Sequence, residues 1–158
     1  MCNNKSKHGF TISIVSATIA VMIILVSTVA VVGVSSINSA NFEEYMSALY
    51  RVKGAAYDYI MFNKTYPTTG EVVVATGLSD DFIAELVNNG DATADANGKL
   101  LTSDKLYVID TDTLNIVTSY GNGTLENEEV FVVSENMNNV YYLRGKKYKG
   151  TTYYGLKD

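Results

Sequence analysis

The chain has 158 residues, a net charge of −5, 47% hydrophobic and 18% charged residues, and one each of His, Cys and Pro with no Trp. That is room for one ordinary domain. The single His8 and Cys2 both precede Gly9. The rest of the chain therefore offers no Ser-His-Asp triad, no Cys-His nucleophile, no His/Cys zinc site and no internal disulfide. No glycine-rich phosphate loop follows a strand, so nucleotide chemistry has no support, and the reading is of a protein that is not an enzyme.

Residues 10–42 contain no charged side chain, and residues 10–34 read FTISIVSATIAVMIILVSTVAVVGV. About 20 apolar residues in a helix span a bilayer core, so this run predicts a transmembrane helix. Lys5, Lys7 and His8 precede it and Glu43 and Glu44 follow. The positive side stays inside. The expected location is a single-pass membrane protein with a cytoplasmic N-terminus and an extracytoplasmic C-terminal part, displayed on a cell-surface filament when assembled. The run exceeds the apolar stretch of about 7–15 residues usual in a cleaved signal peptide. All 17 acids and ten of the 12 bases lie beyond Val34. That acidic surface repels a duplex and argues against general nucleic-acid binding, with DNA uptake as the one nucleic-acid role left open.

A short basic leader, KSKHGFTIS, abuts the apolar run. In Lys7-His8-Gly9-Phe10-Thr11 the chain resembles the type IV pilin and pseudopilin family. The resemblance covers about the first 60 residues. It implies cutting after Gly9 by a prepilin peptidase, N-methylation of the new terminal Phe10, and assembly with other pilin or pseudopilin subunits. The family usually carries Glu as the fifth mature residue, to pair with a neighbour's terminal amine. Ile14 stands there in this chain. Burying an amine without a carboxylate partner is costly, so the departure implies a minor subunit at a special place such as a filament tip. A plain signal anchor with the same residues is the alternative: a single-pass anchored extracytoplasmic binding module.

From Ser35 to Thr65 apolar residues recur in helical steps: Phe42, Met46, Leu49, Val52, Ala56, Tyr59 and Ile60. This predicts an amphipathic stalk helix, ended near Pro67. Joined to the apolar run, it makes one helix of roughly 80 Å at about 1.5 Å per residue. The domain layout is then 1–9 leader, 10–34 transmembrane helix, 35–66 stalk and 67–158 head.

The head predicts strands at 71–76, 105–110, 114–120, 129–134 and 140–143, and a last hairpin over Lys149-Gly150. A helix at 79–89 has Ser79 as N-cap and Gly90 beyond its end. The fold class is α+β: a long N-terminal helix, transmembrane half plus amphipathic half, packed on a small antiparallel sheet.

Two constellations stand out. Asp91, Asp95, Asn97 and Asp104, with Gly98, partly match a calcium loop, so calcium is the one cofactor considered. The register is imperfect, and a polar surface loop accounts for the same residues. Tyr148 with Lys146, Lys147 and Lys149 forms a basic aromatic tail. It reads as a contact patch for a neighbouring subunit, an acidic polymer or single-stranded DNA. A solvated outer strand over a Tyr-rich inner face explains it equally. Asp110 and Asp112 flank a turn and read as Asx-turn residues. Asn63 and Asn122 begin short glycosylation-like triplets, a pattern frequent by chance.

Overall fold

In the computed structural model the described residues are 6–74, 77–101, 104–136 and 139–156; within the first helix, side chains are described at Ile19 and from Ser36 onward. The chain divides into two compact units, Met1–Ala40 and Asn41–Asp158. The elements are α1 (Ser6–Asn63), β1 (Thr68–Val73), α2 (Asp80–Asn88), β2 (Leu106–Ile109), β3 (Phe131–Ser134), β4 (Val140–Tyr148) and β5 (Thr151–Gly155).

The strands form one antiparallel sheet in the order β1-β2-β3-β4-β5. Side chains of a strand alternate between faces, and here both faces are covered. Phe131, Val133, Val140, Tyr142 and Ile109 turn to one side and pack with Tyr45, Ala48, Leu49 and Val52 of α1. Val130, Val132, Tyr141, Leu143, Leu106 and Val108 turn to the other and pack with Phe82, Ile83 and Leu86 of α2. Hence β3 is buried at every position, a pattern that belongs to a central strand with two covered faces. The stripe inferred for the stalk is the stripe that packs at Leu49, Val52 and Ala56, all buried.

One hydroxyl ties α1 to the far end of the chain. Tyr45 is buried and its Oη donates to the carbonyls of Tyr153, at 2.8 Å, and Tyr154, at 3.0 Å. α2 begins where Ser79 Oγ accepts from the Phe82 amide at 3.3 Å, and its end is followed by Gly90 at φ 72°. The two-residue connection of β4 and β5 runs through Lys149 and Gly150, both at positive φ.

Three expectations are corrected. The fold class, built on a helix with a transmembrane half, does not stand: among the described residues no helix is long and apolar enough to cross a membrane. The single-pass location falls with it. The described side chains of α1 include Glu43, Glu44, Arg51, Lys53 and Asp58, and charges at that density leave no apolar span in the described part of the helix. The side chains of 20–35 and of 6–18 lie outside the described residues. Among the described residues the class is two α-helices and a five-stranded antiparallel sheet.

The third correction is local. No strand forms at 114–120. Asp110 Oδ1 accepts from the amides of Asp112, at 3.0 Å, and Thr113, at 3.2 Å, while Oδ2 accepts from Thr113 Oγ1 at 2.6 Å. These bonds, with Leu114 and Asn115 amides returning to the carbonyls of Asp110 and Asp112, hold a tight turn in place of a ladder. The same bonds lower the Asp110 carboxyl below its ordinary value, the Thr113 hydroxyl contributing most. β4, by contrast, runs past Leu143 through a bulge at Gly145 to Tyr148.

Candidate functional site

The basic aromatic tail is not one patch. Lys146, Lys147 and Tyr148 are consecutive in β4, so Lys147 points away from the face that its neighbours share. Tyr148 is half-buried: its ring stacks on Phe42 of α1 with centroids 4.3 Å apart and planes 6° from parallel. Lys149 Nζ lies 5.1 Å from the Tyr148 centroid, and Lys146 Nζ lies 5.1 Å from the centroid of Tyr120. The tyrosine of the motif therefore serves packing. Of the three lysines, Lys146 lines a cleft.

That cleft has a volume of about 450 Å³. One wall is the loop from Ser119 to Gly123, the other the outward end of β4 at Arg144, Gly145 and Lys146, and Tyr142 and Glu129 form the floor. Three glycines of the lining lie tight against their neighbours. A Cβ at Gly121, held at φ 76°, would stand 2.2 Å from the Phe131 ring. At Gly123 it would stand 2.4 Å from Glu129 Cβ, and at Gly145, φ 69°, 2.7 Å from both Thr152 and Tyr154. Such approaches exclude any side chain.

Most polar groups of the cleft are already engaged. Tyr120 Oη donates to the Asn41 carbonyl at 3.2 Å, and Ser119 Oγ donates to Glu44 Oε1 at 2.7 Å. Asn122 Nδ2 donates to the Thr118 carbonyl, and Arg144 pairs with Glu129. Tyr142 has its ring wedged edge-on to Tyr45 and Tyr120, with centroids 5.9 and 5.8 Å away. Burial, then the negative charge of Glu129, raise its hydroxyl above the ordinary tyrosine value.

The acidic constellation is not brought together. Asp91 is 3% exposed and turned inward, where its carboxylate accepts from Ser134 Oγ and Tyr141 Oη, each at 2.6 Å. Asp95 Oδ1 instead caps the turn after it, accepting from the amides of Asn97 at 2.8 Å and Lys99 at 2.9 Å. Those two amides hold its carboxyl below the usual range. Asp104 Oδ2 accepts from the Thr93 amide at 2.5 Å, so it closes the 93–104 loop. Among the described residues no three acidic, His or Cys side chains converge on a common point. Sequence reasoning missed the inward role of Asp91. No local signal marks it: Asp91 follows Asn88-Asn89-Gly90 and precedes Ala92-Thr93, a polar stretch like any surface loop.

Comparison with protein-family models, curated proteins and solved structures returned no match. The chemistry of the chain's own residues therefore carries the functional reading. Gly9, Phe10 and Ile14 fall where side chains lie outside the described residues.

The outer face of α1 is the other notable surface. Tyr50, Tyr57 and Met61 share one helical face at steps of seven and four, and are 60, 58 and 54% exposed. Gly54 lies in the same stripe with nothing within 4 Å of its Cβ position. Phe62, at 86% exposure, stands beside it. The helix thus packs one stripe on its own sheet and shows a second, aromatic stripe to solvent.

Proposed function

We propose that this chain is a structural subunit of a type IV pilin-like filament, a minor pilin or pseudopilin, whose work is assembly and not catalysis. The supporting observation is the second aromatic stripe of α1. The helix has satisfied its own sheet through Leu49, Val52 and Ala56, and Tyr50, Tyr57 and Met61 are surplus to that packing. The leader KSKHG-FT supplies the processing signal. In this reading a prepilin peptidase hydrolyses the Gly9–Phe10 bond, Phe10 becomes the methylated terminus, and subunits associate through α1. Ile14 in place of Glu fits a position at which the new amine meets no neighbour's carboxylate.

The test is mass spectrometry of the protein recovered from cells that contain a prepilin peptidase. The expected terminus is N-methylated Phe10, and the same material sediments with sheared filaments. Recovery of the chain with residues 1–9 attached, and with none in the filament fraction, overturns the reading.

A further inference from the structure

The cleft beside Tyr142 has a feature that neither folding nor filament assembly uses. Tyr142 is 5% exposed, yet its hydroxyl makes no hydrogen bond among the described residues. Buried polar groups are paired almost without exception, because an orphan forfeits its bonds to water. No sealed polar side-chain atom among the described residues lacks a partner. The Tyr142 hydroxyl is therefore not shut in. It opens into the cleft, where it is both a donor and an acceptor.

Charge follows the same logic. Arg144 and Glu129 neutralise one another in an exposed ion pair. Lys146 makes no ion pair among the described residues, and its ammonium stands over the Tyr120 ring. The cleft thus presents one uncompensated cation held over an aromatic ring, one hydroxyl free to bond in two directions, and walls of bare backbone at Gly121, Gly123 and Gly145. Its volume of about 450 Å³ falls within the range of small-molecule sites, about 300–1,000 Å³.

Several ligand classes do not fit this lining. An apolar ligand would strand the hydroxyl and the lysine. A polyphosphate or nucleic-acid backbone asks for several cations, and a single free one in an acidic chain is a poor match. What fits is a ring with many hydroxyls and one acid group: hydroxyls for Tyr142 and the backbone walls, and a carboxylate for Lys146. We propose that this cleft is a binding site for an acidic sugar unit, a uronate or sialate residue of a surface polysaccharide. The site is independent of processing at Gly9 and of assembly through α1.

The experiment is calorimetric titration of the full chain with three probes: a hyaluronan tetrasaccharide, trigalacturonate and sialyllactose. Each is paired with its carboxyl-reduced neutral form. At least one acidic probe is expected to bind, and its neutral form to bind about tenfold more weakly. Lys146→Gln removes that preference. Tyr142→Phe weakens the acidic and neutral forms alike, by about fivefold. Both variants stay within about 4 °C of the parent's thermal midpoint, because Tyr142→Phe keeps the packed ring and Lys146→Gln gives up only the ammonium's contact with the Tyr120 ring. Three results would each overturn the proposal: no acidic probe binds at millimolar concentration; acid and neutral forms bind equally; or both variants bind like the parent. Failure here with an N-methylated Phe10 terminus leaves the filament reading standing, and the converse result leaves the sugar site standing.

Discussion

Asp91 shows how one buried carboxylate can organise a small domain. It sits just beyond α2, and it receives hydroxyls from β3 and β4. Tyr141 in turn accepts from Asn89 Nδ2 at 3.0 Å, so a chain of bonds runs from the helix end to the middle of the sheet. Replacing Asp91 by Ala leaves two inward hydroxyls without an acceptor. The expected loss is about 2–4 kcal/mol, read as a lowered urea midpoint with an unchanged slope. Ser134→Ala removes a donor only, and its cost is about 1 kcal/mol.

The buried tyrosines also fix how stability responds to alkali. Burial raises the Tyr45 and Tyr141 hydroxyls far above the ordinary value of 10.0; nearby Glu85 adds to the rise at Tyr45, and the bond to Asp91 adds to it at Tyr141. In the unfolded chain both lose their protons near pH 10. Below that pH the two states bind equal numbers of protons, and stability is flat with respect to these groups. Above it the unfolded state binds fewer, so stability falls by about 1.4 kcal/mol per pH unit for each tyrosine. Urea titrations at about pH 8 and about pH 11 test this, and the Tyr45→Phe variant is expected to show a shallower alkaline slope than the parent. A slope unchanged by that substitution would contradict the assignment.

At the scale of elements, β4 depends on its bulge. The register of β4 against β5 shifts between Tyr141 and Lys146, and Gly145 makes that shift at φ 69° with Thr152 and Tyr154 pressed against it. Gly145→Ala therefore meets both a strained backbone and a steric clash. The expected cost is about 2–3 kcal/mol by chemical denaturation. Ser79→Ala is the milder counterpart at the start of α2. It removes the cap to Phe82 and the 3.0 Å contact with Tyr154 Oη, at a cost of about 1 kcal/mol.

The elements also show where sequence reading succeeds and where it stops. Ser79 and Gly90 bracket α2 because capping is a local event written in adjacent residues. The hairpin at Lys149-Gly150 is local for the same reason. Residues 114–120 alternate like a strand, but Asp110 and Thr113 capture the backbone first, and no neighbouring strand is left for them to pair with. The calcium-like spacing failed because spacing does not reveal that Asp91 points inward. The cleft was illegible: Tyr120 and Lys146 meet only once the sheet is built, and nothing along the chain marks the Tyr142 hydroxyl as the unpaired one.

For the whole molecule, α1 carries two stripes, one buried against the sheet and one exposed. The inner stripe holds the fold; the outer one does not. Tyr57→Glu combined with Met61→Glu is expected to leave the urea midpoint within about 0.5 kcal/mol of the parent. The same pair is expected to abolish entry into filaments and any concentration-dependent self-association seen by sedimentation. Loss of stability in step with loss of association would place these side chains in the core and count against the subunit reading.

The hydroxyl of Tyr45 reaches carbonyls more than a hundred positions downstream, and that distance along the chain has a price during synthesis. A nascent polypeptide that has already exposed its helix must wait on the ribosome until the final hairpin emerges before the greasy stripe around Leu49 can be covered. Non-local closure of this kind slows folding and leaves adhesive surface open in the meantime. A chain stalled before Thr151 is accordingly the form most in need of a chaperone.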